Sequence, residues 1–66
     1  MSITAEGYRR IEAIRKSAEE GDVEAQYRIG EIYSDPLFEN IPEAIKWITK
    51  AAENGHEEAK KVLALL

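Results

Sequence analysis

Residues 44–59 read AIKWITKAAENGHEEA, and residues 10–25, 34 positions earlier, read RIEAIRKSAEEGDVEA. In both stretches apolar residues recur at steps of three and four, which is the spacing of one face of an α-helix. Each stretch then reaches a glycine, Gly21 or Gly55, which suits the left-handed position just past a helix end. Each stretch therefore predicts a helix, a tight turn and the start of a second helix.

The two stretches are copies of one unit when Gly21 is aligned with Gly55. The identical pairs are Ile11/Ile45, Ile14/Ile48, Lys16/Lys50, Ala18/Ala52, Glu19/Glu53, Gly21/Gly55, Glu24/Glu58 and Ala25/Ala59. A repeat of this length with two helices is the signature of an α-solenoid, in which neighbouring helix pairs cover each other's apolar faces. The sequence predicts an all-α fold of four helices, arranged as two stacked antiparallel helical hairpins.

The length of 66 residues allows a single domain, residues 1–66. We expect repeat unit one at about 4–33, a loop at 34–40 and a trimmed, capping repeat unit two at about 41–66. Solenoids generally need about three repeats for stability. We therefore expect these two units to gain stability from a partner, from self-association or from unusually good packing.

Helix starts are marked by residues that accept hydrogen bonds from backbone N–H groups. Thr4 or Ser2 is the predicted cap of helix one, and Asp22 is the predicted cap of helix two. Asn40 precedes Glu43 by three residues, which predicts a capping box at helix three.

Two residues inside the helices call for a packing partner. Gly30 has no turn to make, so its position predicts the close approach of another helix. Trp47 has two interpretations: it packs between the units, or it is a partly exposed anchor, since Trp is enriched at interface hot spots. The predicted apolar face of helix three consists of Ile41, Ala44, Ile45, Ile48, Ala51 and Ala52.

Residues that carry chemistry are sparse. The chain has one histidine, His56, and no cysteine, so we expect a surface histidine and no metal site. The paired carboxylates are typical of a solvated helix surface, and no nucleophile–base set or glycine-rich phosphate loop is present. We expect no catalytic residue, no cofactor and no enzymatic activity.

Charge and hydropathy exclude further classes of partner. The net charge is −4, whereas phosphate-backbone binding requires a clustered basic face. No run of about 18 apolar residues is present to span a membrane, and the first residues lack the order of a signal peptide. We expect a soluble protein in the cytoplasm that binds neither nucleic acid nor membrane.

The repeated stretch resembles the Sel-one-like repeat (SLR) family, relatives of the tetratricopeptide repeats. The family pattern is roughly Ala-x-x-Trp-x-x-Lys-Ala-Ala-Glu-x-Gly, followed by Ala four residues on. The matching residues are Ala44, Trp47, Lys50, Ala51, Ala52, Glu53, Gly55 and Ala59. The sequence departs from the family in its loop, SDPLFEN, which lacks glycine, and in Lys61 and Ala64, which stand where unit one has Tyr27 and Gly30.

This resemblance implies a protein–protein interaction module with a protein or peptide partner. The expected binding face is formed by helices one and three. Its candidate residues are Trp47, Tyr8, Glu12, Arg15, Lys46 and Lys50. Leu65 and Leu66 on the last helix are further candidates, because uncovered apolar residues mark sites of association.

Two alternatives remain open. The first is a small inhibitor or immunity-type protein that blocks a basic site through its acidic turns, with Glu19, Glu20, Asp22, Glu57 and Glu58. The second is a homo-oligomeric structural unit, such as a homodimer, that pairs through the last helix.

Overall fold

A computed structural model describes residues 3–66 of the chain. It contains four α-helices: α1 (Ala5–Glu19), α2 (Val23–Ser34), α3 (Ile41–Glu53) and α4 (Glu57–Ala64). Each helix packs on the next along the chain, so α2 lies between α1 and α3. No strand occurs in this part of the chain. The predicted all-α fold of two helical hairpins is confirmed.

The helix starts are where the cap residues predict them. The Thr4 hydroxyl accepts a hydrogen bond from the Gly7 N–H at 3.0 Å, and Asp22 Oδ1 accepts one from the Ala25 N–H at 3.0 Å. The other predicted cap of helix one, Ser2, lies outside the described residues.

The two turns within the hairpins share one hydrogen-bond pattern. Gly21 and Gly55 both have a positive φ, 104° and 92°, as their sequence position predicts. The Asp22 N–H donates to the Ser17 carbonyl at 3.1 Å, and 34 residues later the His56 N–H donates to the Ala51 carbonyl at 3.0 Å. The sequence repeat is therefore a repeat of backbone geometry as well.

The loop between the units differs from the prediction in one detail. Asn40 Oδ1 accepts a hydrogen bond from the Glu43 N–H at 3.4 Å, which is half of the predicted capping box. The Asn40 N–H donates instead to the Tyr33 carbonyl at 3.0 Å. The reciprocal half is replaced because the loop folds back on the end of α2.

The core runs through both units as two adjoining clusters. The first joins α1, α2 and α3 through Ala18, Ala25, Ile29 and Trp47, with Ile11, Ile14, Ile32 and Tyr33 packed against them. The second joins α2, α3 and α4 through Ile48, Ala51 and Ala59, with Val23, Tyr27, Ala52, Val62 and Leu63 packed against them. Small residues dominate the buried positions, so the helices approach each other closely.

Gly30 marks the closest approach between α2 and α3. A Cβ atom at this position would lie 2.5 Å from Ile48 Cγ1 and 3.2 Å from the Ala44 carbonyl oxygen. The predicted close approach of a second helix at Gly30 is confirmed. Of the helices in the described residues, none is both long enough and apolar enough to cross a membrane.

Candidate functional site

Trp47 is a core residue, with only 5% of its surface exposed. The interpretation as packing between units is correct, and the alternative of a partly exposed anchor is wrong in this structure. The ammonium groups of Lys46 and Lys50 lie 5.4 and 5.6 Å from the ring centroid, within the range of cation–π attraction. Within residues 3–66 the indole Nε1 has no hydrogen-bond partner, so apolar packing and the two lysines hold the ring.

The candidate residues of α1 form a charged surface beside an exposed tyrosine. Arg15 donates to Glu12 at 2.6 Å and lies 3.8 Å from Glu19. The hydrogen bond to Glu12, followed by that carboxylate's charge, raises the pKa of Arg15. Tyr8 is 58% exposed. Arg15 and Glu12 therefore pair with each other on α1, whereas Lys46 and Lys50 gather over Trp47 on α3.

An apolar groove lies where α3 begins and α4 ends. Its lining residues are Ser34, Ile41, Ala44, Ile45, Ile48, Val62 and Leu66, and its volume is about 130 Å³. Ile41 and Ile45, predicted on the apolar face of helix three, are exposed, and so are Leu65 and Leu66 at 86% and 78%. Leu66 lines the groove, while Leu65 lies outside it.

His56 was predicted to be a surface histidine, but it makes three contacts in the structure. Its Nδ1 accepts a hydrogen bond from the Ala59 N–H at 3.1 Å and so caps α4. Its Nε2 lies 2.8 Å from Glu24 Oε2, so the neutral ring that accepts at Nδ1 donates from Nε2. The ring also stacks on Tyr27, with centroids 4.3 Å apart. In the sequence repeat His56 aligns with Asp22, the cap of α2, so its role as the cap of α4 could have been predicted.

Gln26 is a buried polar residue that the sequence interpretation did not single out. It is 1% exposed. Its Nε2 donates to the Ala18 carbonyl at 3.2 Å, and its Oε1 accepts from Asn54 Nδ2 at 3.1 Å. Both ends of the amide are therefore satisfied, and the side chain links α1 and α2 to the turn that follows α3.

His, Asp and Glu side chains do not gather in threes that could hold a metal ion anywhere in the described residues. The ion pairs within the described residues join neighbours along one helix, apart from the contact between His56 and Glu24. The apolar groove and the charged surface of α1 and α3 are the arrangements that bring the sequence-predicted candidate residues together.

Comparison with known proteins gives two partial similarities. The chain is 40% identical over 48 residues, 70% of its length, to a putative sel1-like repeat-containing protein of Acanthamoeba polyphaga mimivirus. It is 36% identical over 55 residues, 83% of its length, to an F-box protein of Arabidopsis thaliana. The chain spans 8% and 16% of these proteins. No family model matches the chain, and no solved structure matches it significantly.

Proposed function

We propose that this chain is a non-enzymatic protein-interaction module of the Sel-one-like repeat family, and that it binds an apolar segment of another protein in the groove between α3 and α4. The partial similarity to a sel1-like repeat-containing protein supports the family. Support for the binding role comes from the groove, where Ile41, Ile45 and Leu66 expose apolar surface around one concavity. Contiguous exposed apolar surface is typical of interaction sites.

The size of the groove indicates what it would hold. Its volume of about 130 Å³ is close to the ~150 Å³ of an engineered apolar cavity that binds benzene. The groove therefore accommodates one aromatic or branched aliphatic side chain. The Ile41 and Ile45 side chains would lose their remaining contact with water, and full burial of such a side chain contributes about 1.5–3 kcal/mol.

The face of α1 and α3 is a second surface for the same function. Lys46 and Lys50 both lie over the Trp47 ring. Lys46 also lies 3.9 Å from Glu43, whereas Lys50 has no carboxylate partner within residues 3–66. An acidic partner segment would meet these two lysines, and Tyr8, which is exposed, would supply apolar contact at its edge. Glu12 and Arg15 neutralise each other. They would therefore determine how the partner segment is aligned on the surface and add little to its affinity.

The groove proposal is tested with peptides selected from a displayed library on the wild-type chain. The double variant Ile41→Ser/Ile45→Ser removes the apolar rim, and Leu37→Ser is the matched control, because Leu37 is also half-exposed and lies outside the groove. We expect selected peptides to carry an aromatic or aliphatic residue. They should bind the double variant at least about tenfold more weakly, given the apolar surface lost, and the control unchanged.

Amide chemical shifts on peptide addition locate the bound segment. Changes at Ala44, Val62 and Leu66 would support the groove. Changes centred on Lys46 and Lys50 with full binding to the double variant would overturn the groove and move the site to the second surface. Full binding to the double variant without shift changes at Lys46 or Lys50, together with steep weakening by salt, would favour the acidic turns instead.

A further inference from the structure

We propose that copies of this chain associate head to tail, with the end surface of unit two in one copy packing on the opposite end surface of unit one in the next. The front face is defined here by Arg10, Ala13, Ser17, Glu20 and Asp22, and the rear face by Lys60, Lys61 and Ala64. Arg10, at the position of Ala44, lies 3.4 Å from Glu6 on its own helix, and the front face stays net negative while the rear face is positive. The partner is a second copy because these two faces of one chain have opposite charge and lie at equivalent positions of a repeat.

The interface inside the chain provides the template. Unit two meets unit one through the hydrogen bond from Asn54 to Gln26 and through the stack of His56 on Tyr27. The turns of the two units contain the same backbone hydrogen bonds, made by residues 34 positions apart in the chain. A copy placed on the rear face by the same geometry would therefore use residues displaced by 34 positions.

That displacement converts two neutral contacts into two ion pairs. Lys60 and Lys61 stand where unit one has Gln26 and Tyr27. On the opposing surface, Glu20 stands at the position of Asn54, and Asp22 stands at the position of His56. Lys60 would face Glu20 and Lys61 would face Asp22, so both pairs are complementary in sign, which favours this register over its alternatives.

The charged groups can form these pairs. Asp22 is exposed and caps α2 through Oδ1 alone, which leaves Oδ2 for Lys61. Lys60 lies 3.0 Å from Glu57 and Lys61 lies 3.6 Å from Glu58, and all four side chains are more than half exposed. Exposed pairs of this kind are weak, so the lysines exchange partners readily. Glu20 is exposed and makes no ion pair within residues 3–66.

The association is expected to be weaker than the packing inside the chain. Ala64 stands where Gly30 allows α3 to approach, so its Cβ keeps the next copy further away. Ala13 stands where Trp47 fills the internal interface, and the front face is left with a concavity of about 260 Å³ that Ala13, Ser17 and Asp22 help to line. Because the two faces differ, the contact is heterologous and cannot form a two-fold pair. With the small rotation between stacked repeats of a solenoid, it builds open chains.

Sedimentation velocity across a range of protein concentrations tests the proposal. At about 0.01 M salt, where exposed charges act over a Debye length of about 30 Å, the average mass should rise with concentration. At about 1 M salt, where this length falls to about 3 Å, it should return to that of a monomer. A wild-type chain that stays monomeric at low salt across the range would overturn the proposal.

Charge-reversed variants test the register. Lys60→Glu and Glu20→Lys each place like charges across the interface, so each alone should associate at least about tenfold more weakly than wild type. An equimolar mixture of the two should recover association, because each opposing pair is again opposite in sign. Arg9→Glu carries the same change in net charge as Lys60→Glu, at an exposed residue outside both faces, and should associate like wild type.

Circular dichroism of each variant should show retained helicity, because Glu20 and Lys60 are both exposed. The head-to-tail register would be overturned if the Lys60→Glu variant associated as strongly as wild type or more strongly. It would also be overturned if the mixture formed assemblies no larger than those of its separate components.

Discussion

Asn54 donates a hydrogen bond from Nδ2 to Gln26 Oε1 over 3.1 Å and thereby joins the second helical hairpin to the first. The two residues are 28 positions apart in the chain. Gln26 is buried while its other amide group bonds to the Ala18 carbonyl. One glutamine therefore fixes the position of both flanking turns relative to α2.

The contact between Gln26 and Asn54 should appear as a coupling energy. Gln26→Met keeps the length of the side chain but loses both amide hydrogen bonds, so it should lower the free energy of unfolding by about 1–2 kcal/mol. The loss stays this small because the Ala18 carbonyl still accepts a hydrogen bond from the Gly21 N–H. Asn54→Ala should cost about 1 kcal/mol. In urea unfolding the double variant should cost about 0.5–1 kcal/mol less than the sum of the two, and additivity within about 0.3 kcal/mol would contradict a direct contact.

Gly30→Ala should destabilise the fold although alanine favours helices. The added Cβ would lie 2.5 Å from Ile48 Cγ1, and overpacking of this kind costs about 1–3 kcal/mol. The control is Gly7→Ala in α1, where a Cβ would lie 3.3 Å from Ile3 Cγ2 and Thr4 Oγ1. Both are side-chain atoms near the start of the helix that can move by the few tenths of an ångström required, so this variant should be neutral or stabilised. Ile48→Ala should partly relieve the Gly30 variant. A Gly30→Ala variant as stable as wild type would show that α2 and α3 separate easily.

His56 variants should separate the helix cap from the ring contacts. His56→Ala loses the hydrogen bond from the Ala59 N–H, the contact with Glu24 and the stack on Tyr27. His56→Asn keeps a side-chain acceptor at the cap, which contributes about 1 kcal/mol. Thermal unfolding should therefore rank wild type above the Asn variant and the Asn variant above the Ala variant. Equal melting of the two variants would argue against a cap at His56.

Alkaline pH should weaken the fold through Tyr27. Burial, followed by the charges of Glu31 and Glu58, raises the pKa of Tyr27 above its ordinary value of 10.0. The unfolded chain then loses this proton at a lower pH than the folded chain, so the free energy of unfolding falls as pH rises above about 10. Tyr27→Phe should remove this part of the fall between about pH 8 and 11, whereas Tyr8→Phe should leave it in place. An unchanged pH profile in Tyr27→Phe would contradict the prediction.

Local signals in the sequence were sufficient for the helices and turns. Asp22 and Asn40 cap the helices that follow them, and Gly21 and Gly55 adopt positive φ, because these features depend on a residue and its near neighbours along the chain. The packing at Gly30 was also predictable, since a glycine within a helix has few other uses.

Relationships across the units were harder to predict. Helical spacing placed Ile41 and Ile45 on the apolar face of helix three, but it does not say which part of that face α2 covers. The Gln26 bond to Asn54 and the Tyr27 stack on His56 depend on how the hairpins are offset, which no local pattern encodes. The proposed groove likewise follows from where α2 and α4 end relative to α3.

The placement of α2 between α1 and α3 sets an order of local opening. Each helix contacts its neighbours along the chain, so α1 or α4 can detach while the pairing of α2 with α3 persists, whereas loss of α2 removes the support of both neighbours. Amide hydrogens in the middle of α2 and α3 should therefore exchange with solvent only through global unfolding, and those of α4 through smaller openings. A partner that binds α4 would slow the exchange of the α4 amide hydrogens before that of any others. Binding would therefore be detected as increased protection in α4, at the end of the molecule.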